Sequence, residues 1–373
     1  MLQFETEMPE KILSYPIEKK IGQMFFIGVP SPEFDAVTRD LIQKIAPGGI
    51  CLFTRNIREA AKTRNLLNEI SEASEIQPFF SIDQEGGLVD RLRRILEPMP
   101  AVSELKNLAQ AEKLAEITSE VLRILGFNMN FAPVVDVSTE ERKKFINGLN
   151  SRTFGNSKEN AADFGKIYLE TLQKNGVLGC LKHFPGLAAS EIDSHEELPS
   201  VNIEQNELFE TDLFPYREIF SASKVAAVMI AHAAFPKTDL QETDRDGKLL
   251  PSSLSFNFTT RLLRDDLGFE GISITDDMEM GAILKNYGIG EACKMAIKAG
   301  NDMLAICNNP QMIYDGFTAI SEAVKSGEIS ETRINESLKR IAAVKNLINS
   351  PLPFDESRLS ELSNEILKLK NNH

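Results

Sequence analysis

The sequence predicts an α/β chain folded as a single (β/α)8 TIM-type barrel, with its active site at the C-terminal face of the strands. Three observations carry that expectation. Eight short apolar runs of strand length recur along the chain, and helical patterns fill the intervals between them. The runs are nearly continuous rather than alternating, which is what strands covered on both faces require, and such strands are typically parallel. The long polar connections, residues 138–156, 186–201 and 235–255, follow three successive runs, as loops rising from one end of a barrel would. A doubly wound open sheet is the competing architecture.

The elements follow in order. The first run, residues 24–29, carries Phe25, Phe26 and Ile27, and the second, 49–53, carries Cys51. The third, 79–82, leads into Asp83 and then Gln84-Glu85-Gly86-Gly87, a strand-to-loop turn in which glycine allows close backbone approach. Leu114, Ile117, Val121, Leu122 and Leu125 next make one apolar helical stripe that stops at Gly126. The fourth run, 127–135, ends at Asp136, and the fifth, 177–181, at Lys182-His183. His232 follows the sixth, 225–230; Asp276-Asp277 follow the seventh, 272–275; the eighth is 303–307. Ile334, Leu338, Ile341 and Ile348 mark a C-terminal helical extension. No internal repeat, low-complexity tract or Gly/Ser linker divides the chain, so residues 1–373 are expected to form one domain.

Composition excludes several classes of function. With 41 Lys+Arg against 55 Asp+Glu, a net charge of -14 and no basic block, neither nucleic acid nor an anionic membrane is an expected partner. No apolar stretch reaches the ~18 residues of a membrane span. Glu5, Glu7, Glu10 and Lys11 interrupt the apolar core that a signal peptide needs, so a cytoplasmic chain is expected. Separately, a monomer is expected. Cys51, Cys180, Cys293 and Cys307 make no C-x-x-C pair and read as reduced thiols, not as a disulfide framework or a zinc site. Neither G-x-x-x-x-G-K nor a strand followed by G-x-G-x-x-G is present, so no nucleotide cofactor is expected.

The histidines locate the chemistry. His373 ends the chain, and the other three, His183, His195 and His232, fall at strand C-termini or in the loop just beyond one. In an extended loop, Asp193-x-His195 turns both side chains to one side, so the carboxylate can orient and charge-support the imidazole; a solvated polar turn is the plainer reading. Asp276 could equally cap a following helix. Lys182 beside His183 could form a Schiff base, although a lysine there more often hydrogen-bonds a ligand. A metal-dependent barrel hydrolase would place H-x-H in the first strand, where this chain has Phe25, Phe26 and Ile27.

Jointly, Lys182-His183-Phe184-Pro185-Gly186 running to Asp193-Ser194-His195, Ile82-Asp83-Gln84-Glu85-Gly86-Gly87 upstream, and Thr275-Asp276-Asp277-Met278 downstream resemble the bacterial β-N-acetylhexosaminidases of glycoside hydrolase family 3. The resemblance runs from about residue 21 to 310 and takes in Phe131-Ala132-Pro133-Val134-Val135-Asp136 and Arg152-Thr153-Phe154. It implies a (β/α)8 barrel, Asp276 as nucleophile, Asp193 and His195 as an acid/base dyad, and Asp83, Arg91, Arg152, Lys182 and His183 as the residues that hold the sugar. His232 gains a supporting role. The implied activity is that of a retaining exo-β-N-acetylglucosaminidase without metal or cofactor, acting on GlcNAc-anhydroMurNAc fragments of peptidoglycan, with or without peptide. Larger relatives take their acid/base from a second domain, and 373 residues leave little room for one, so a barrel loop is expected to supply it. One departure stands out: Leu187-Ala188 replaces the family's His-Gly pair, so a different loop route is expected. The chain also lacks the tryptophan platforms common in sugar sites. A non-catalytic sugar-binding or regulatory barrel is the alternative reading, with a metal-dependent hydrolase behind it.

Overall fold

Each apolar run becomes a strand of one closed sheet. The computed structural model describes residues 11–145, 147–190 and 197–371. Its strands are β1 (Phe25–Gly28), β2 (Gly49–Leu52), β3 (Phe79–Ile82), β4 (Met129–Asn130), β5 (Leu178–Phe184), β6 (Ala227–Ile230), β7 (Ile272–Asp277) and β8 (Met303–Ile306). Every neighbouring pair is parallel, and β8 pairs back onto β1, so the sheet closes as a barrel in chain order. The open doubly wound alternative is thereby rejected. Inside, Phe26 packs between Phe79 and Phe131 with ring centroids 5.8 and 5.3 Å away. Gly49 makes room for this stack, since a Cβ there would stand 2.2 Å from the Phe26 ring.

The fourth strand differs from its expected span of 127–135. Only Met129–Asn130 form a continuous ladder; beyond them the contact with β5 is carried by separate main-chain bonds, the Ala132 and Pro133 carbonyls accepting the Cys180 and Lys182 N–H groups (2.9 and 3.2 Å) and Val135 donating to the Lys182 carbonyl (2.8 Å), while Pro133 itself has no N–H to donate. Asparagine side chains replace the missing ladder bonds. Asn128 accepts the Phe80 N–H (2.8 Å) and Asn130 accepts the Gln84 N–H (3.0 Å). β5 and β7 run further than their apolar runs, through Lys182-His183 and Asp276-Asp277.

Helices surround the barrel. The stripe ending at Leu125 becomes the helix Leu108–Leu125, closed by Gly126 at φ 99°. The helix Glu356–Asn371 packs against it, and Arg358 grips Glu120 with two bonds of 2.6 and 2.8 Å. At the N-terminal end of the strands the helix Glu331–Lys345 buries Lys345 completely. Its Nζ donates to the Gly48 and Gln77 carbonyls (2.8 and 2.6 Å) and stands 4.7 Å from the Phe79 ring centroid. Among the described residues no helix is long and apolar enough to cross a membrane.

Burial without a carboxylate partner drives Lys345 down to about 7. The unfolded chain, with an ordinary lysine pKa of ~10.4, therefore binds a proton across pH ~7 to ~10 that the folded chain does not. Stability should rise through that window. The test compares wild type with Lys345→Met by thermal unfolding: the wild-type midpoint should gain on the variant's from pH 7 to 9, and a gap that does not change with pH would refute the assignment.

Candidate active site

Because all eight strands run the same way, their C-terminal residues converge on one mouth, which holds a cavity of about 380 Å³. That is the lower end of the ~300–1,000 Å³ range of small-molecule sites. Asp83, Arg91, Arg152, Lys182, His183 and Asp276 all line it. Asp193 and His195 lie outside the described residues.

β3 delivers Asp83 and then turns at once into a short hairpin, Gln84–Gly86 with Val89–Asp90. Gly86 and Gly87 have φ of 94° and 57°, and Cβ atoms there would stand 2.2 Å from the Pro100 carbonyl oxygen and 2.6 Å from the Ala101 Cβ. Only glycine fits both the backbone angle and the space. Gln84, buried beneath the hairpin, donates to Asp90 (2.9 Å) and accepts the N–H groups of Arg91 (2.9 Å) and Leu92 (3.2 Å). The Arg91 guanidinium is thus carried to the mouth, 3.8 Å from Asp83 and 5.7 Å from the Phe53 ring centroid.

β5 supplies the counter-charge. Lys182 Nζ lies 2.7 Å from Asp83 Oδ1 and 2.6 Å from Glu85 Oε1. Arg152, from the loop after β4, takes the other side of Glu85 through two bonds of 2.8 and 3.0 Å. Burial alone would raise Glu85, but Lys182 and Arg152 overcome it and hold the carboxyl at about 2. Asp83 and Glu85 outweigh the burial of Lys182 and raise its pKa, so the ammonium stays charged. A protonated lysine between two carboxylates is no Schiff-base nucleophile.

His183 is oriented from behind. Its Nδ1–H donates to Asp136 Oδ2 (2.7 Å), and its Nε2 faces the cavity 3.4 Å from Arg152. Asp136 also accepts the main-chain N–H of His183 (3.2 Å) and, on its other oxygen, that of Leu187 (2.6 Å). Asn147 then holds the next turn by donating to the Ala188 and Ser190 carbonyls (3.0 and 2.9 Å). Ala188 does not adopt a left-handed backbone, so replacing glycine with alanine strains nothing here.

Asp276 stands half-buried at the tip of β7, with Oδ1 accepting the Asp277 N–H at 2.8 Å. The next helix, Gly281–Leu284, is capped by Met280, so Asp276 is not a helix cap. Burial pushes its carboxyl up, but the imidazoles of His183 and His232 and the Asp277 N–H pull it below the usual range. His232 Nε2 lies 3.2 Å from the Asp277 carbonyl, which can only accept, so this nitrogen carries the hydrogen; Nδ1 lies 2.6 Å from Ser253 Oγ. His232 therefore supports the strand tip from within the barrel wall.

Glu85, Asp136 and Asn147 carry no site role that the sequence alone assigns. Glu85 looked like part of a turn and Asp136 like a strand end, and only the fold brings them against Lys182, Arg152 and His183. Asn147 sits in a polar loop with no pattern to single it out.

Residues 16–344 match the model of the Glycosyl hydrolase family 3 N terminal domain. Beta-hexosaminidase A of Pseudoalteromonas piscicida is 30% identical over 331 residues, which cover 82% of this chain and 54% of its own length. The chain thus spans about half of that relative. Beta-hexosaminidase of Tolumonas auensis is 30% identical over 288 residues, 76% of this chain and 82% of its own. Among solved structures, a glycoside hydrolase family 3 beta-N-acetylglucosaminidase from Paenibacillus sp. superposes with a TM-score of 0.84 at 32% identity, covering 95% of this chain and 69% of that one.

The Glu85 cluster sets a pH test. A carboxyl lowered to about 2 stabilises the fold fully above its unfolded pKa of ~4.3 and loses that contribution as pH falls toward 2. Glu85→Gln should cost about 3 kcal/mol at pH 7, an order-of-magnitude figure from the shift. Denaturant melts should show the gap between wild type and variant closing below pH ~4, and a constant gap down to pH 2.5 would contradict the charge compensation.

Proposed function

The chain belongs to glycosyl hydrolase family 3, and on that premise we propose that it is a retaining exo-β-N-acetylglucosaminidase that removes terminal GlcNAc from cytoplasmic peptidoglycan fragments, GlcNAc-anhydroMurNAc with or without peptide. One observation carries the reading: a single small cavity in which an ionised Asp276 faces the donors and acceptors of Asp83, Arg91, Arg152, Lys182 and His183. Such a set can hold the hydroxyl groups of one terminal sugar by hydrogen bonds, without an aromatic platform.

The reaction then divides into two displacements. Asp276 attacks the anomeric carbon as the bond to the departing oxygen breaks, and His195 gives that oxygen its proton, leaving a covalent glycosyl-enzyme. Water, deprotonated by His195, next attacks the same carbon and frees Asp276, so two inversions retain configuration. Asp193 fixes the imidazole tautomer and balances its charge. These two residues enter from their sequence motif. An imidazole, with an ordinary pKa of ~6.5, needs little tuning to exchange protons near neutral pH. The chemistry calls for neither metal nor cofactor, and the chain is proposed to act as a monomer. Support for the cytoplasmic setting comes from the four cysteines, all unpaired, as is usual in a reducing compartment.

An aryl β-GlcNAc assay tests the proposal. Asp276→Asn should lose at least ~10³-fold in kcat, and a 2-acetamido fluorosugar should label wild type on the peptide carrying Asp276. With His195→Ala and a good leaving group, formation of the glycosyl-enzyme should survive better than its hydrolysis. Saturable GlcNAc binding without turnover would instead establish a non-catalytic sugar-binding barrel.

A further inference from the structure

Three N–H groups converge on the two carboxylate oxygens of Asp136, whose side chain is fully buried. Oδ2 accepts the His183 Nδ1–H at 2.7 Å and the His183 main-chain N–H at 3.2 Å, and Oδ1 accepts the Leu187 N–H at 2.6 Å. A peptide N–H can only donate, so both oxygens accept, and the single hydrogen of a neutral imidazole is held on Nδ1. Nε2 keeps its lone pair at the cavity wall, which His183 lines. Its other neighbour agrees with this tautomer. Arg152 Nη2 lies 3.4 Å from Nε2, and a guanidinium has no lone pair to offer an opposing N–H. Two bonds of 2.8 and 3.0 Å to Glu85 keep Arg152 in that place.

The neighbouring groups cannot do what this nitrogen does. Lys182, Arg91 and Arg152 only donate, and Lys182 already engages the carboxylates of Asp83 and Glu85. Cations accept any lone pair, so they do not tell a hydroxyl from a group that only accepts. An uncharged acceptor fixed in one tautomer does. We propose that Asp136 is a positioning residue that locks the tautomer of His183, so that Nε2 reads one sugar hydroxyl as a hydrogen-bond donor and rejects an acceptor-only group in its place. The hydroxyl rests on the glycosidase reading; the tautomer lock does not.

Asparagine cannot replace Asp136, because an amide brings one oxygen to three donors. With that oxygen toward Leu187, the NH2 group faces His183 and is accepted at Nδ1 only if the ring hydrogen moves to Nε2. That turns Nε2 from acceptor to donor and sets it against Arg152. With the oxygen toward His183 instead, the NH2 group opposes the Leu187 N–H and the root of the loop after β5 loses its anchor. Either arrangement gives up something that the carboxylate supplies at once.

Nitrogen-15 labelling of the histidines reads the tautomer directly in the full chain at pH ~8, where an ordinary imidazole is neutral, with His183→Gln identifying the signal. Wild-type His183 should carry its hydrogen on Nδ1; a hydrogen on Nε2 would overturn the proposal whether or not any variant folds. The second readout uses aryl β-GlcNAc glycosides in which fluorine, which cannot donate, replaces the hydroxyl at C3, C4 or C6 in turn. Wild type should lose at least ~100-fold in kcat/KM at the position that meets His183. In Asp136→Asn that penalty should shrink at least ~10-fold while the other two hold, and KM for the parent glycoside should rise more than kcat falls. Equal scaling of all three penalties would leave Asp136 a merely structural role and overturn the proposal. If wild type hydrolyses none of these glycosides, the glycosidase reading falls, and the nitrogen spectrum alone decides the lock.

Discussion

Glu85 sits with 4% of its surface exposed between two cations, and much of the site's architecture follows from keeping that carboxylate compensated. A buried ion with its partner removed costs several kcal/mol, so Lys182 on β5 and Arg152 on the loop after β4 must both arrive at the level of the β3 hairpin. Register secures the first. Ser81 pairs with Met129 and Met129 with Leu178, which sets the tips of β3 and β5 side by side across the short β4. The hairpin must then reverse immediately after Glu85, and the glycines at 86 and 87 allow it against the 99–101 segment. The residues from Asp83 to Gly87 are thus a single device that presents a carboxylate and balances its neighbours.

The strands were legible because a parallel barrel strand is buried on both faces and reads as an apolar block. Their ends were less so. β5 and β7 continue through Lys182-His183 and Asp276-Asp277, where hydropathy indicates a loop, because the barrel mouth turns polar side chains into a cavity while the backbone stays in the ladder. β4 is shorter than its apolar run: past Asn130 the chain stays beside β5 through separate main-chain bonds to Ala132, Pro133 and Val135 but no longer forms a regular ladder. Of the site, the residues at strand tips could be found from position alone. Asp136 was also at the end of a run, but its grip on His183 could not be read from position; Glu85 and Asn147 sit in polar turns, and only the fold brings them to Lys182 and to the Ala188 and Ser190 carbonyls.

The root of the loop after β5 is held at main-chain atoms around Leu187-Ala188. Asp136 grips the main-chain N–H of Leu187, and Asn147 grips the main-chain carbonyls of Ala188 and Ser190. Below them, Gly186 packs against Asp212, whose carboxylate Arg142 holds with bonds of 2.7 and 2.9 Å. Anchors that read backbone atoms are indifferent to the side chains between them. The Leu187 side chain itself lines the cavity and gives it an apolar surface.

Adjacent carboxyls at the tip of β7 divide the electrostatic work. Two ionised groups side by side in a partly desolvated mouth would repel, and one of them must yield its charge. Burial, the Glu279 carboxylate and Asp276 push Asp277 up to about 7, whereas two imidazoles and a peptide N–H lower Asp276. Near neutrality, then, a proton resides on Asp277 much of the time and the negative charge on Asp276. Environments that drive paired groups apart in this way assign their chemistry: the ionised member is fitted to attack an electron-poor carbon, and the protonated one is not. Since the two occupy consecutive positions of one strand, it is the packing around each, not the sequence Asp-Asp, that makes Asp276 the nucleophile in the proposed reaction.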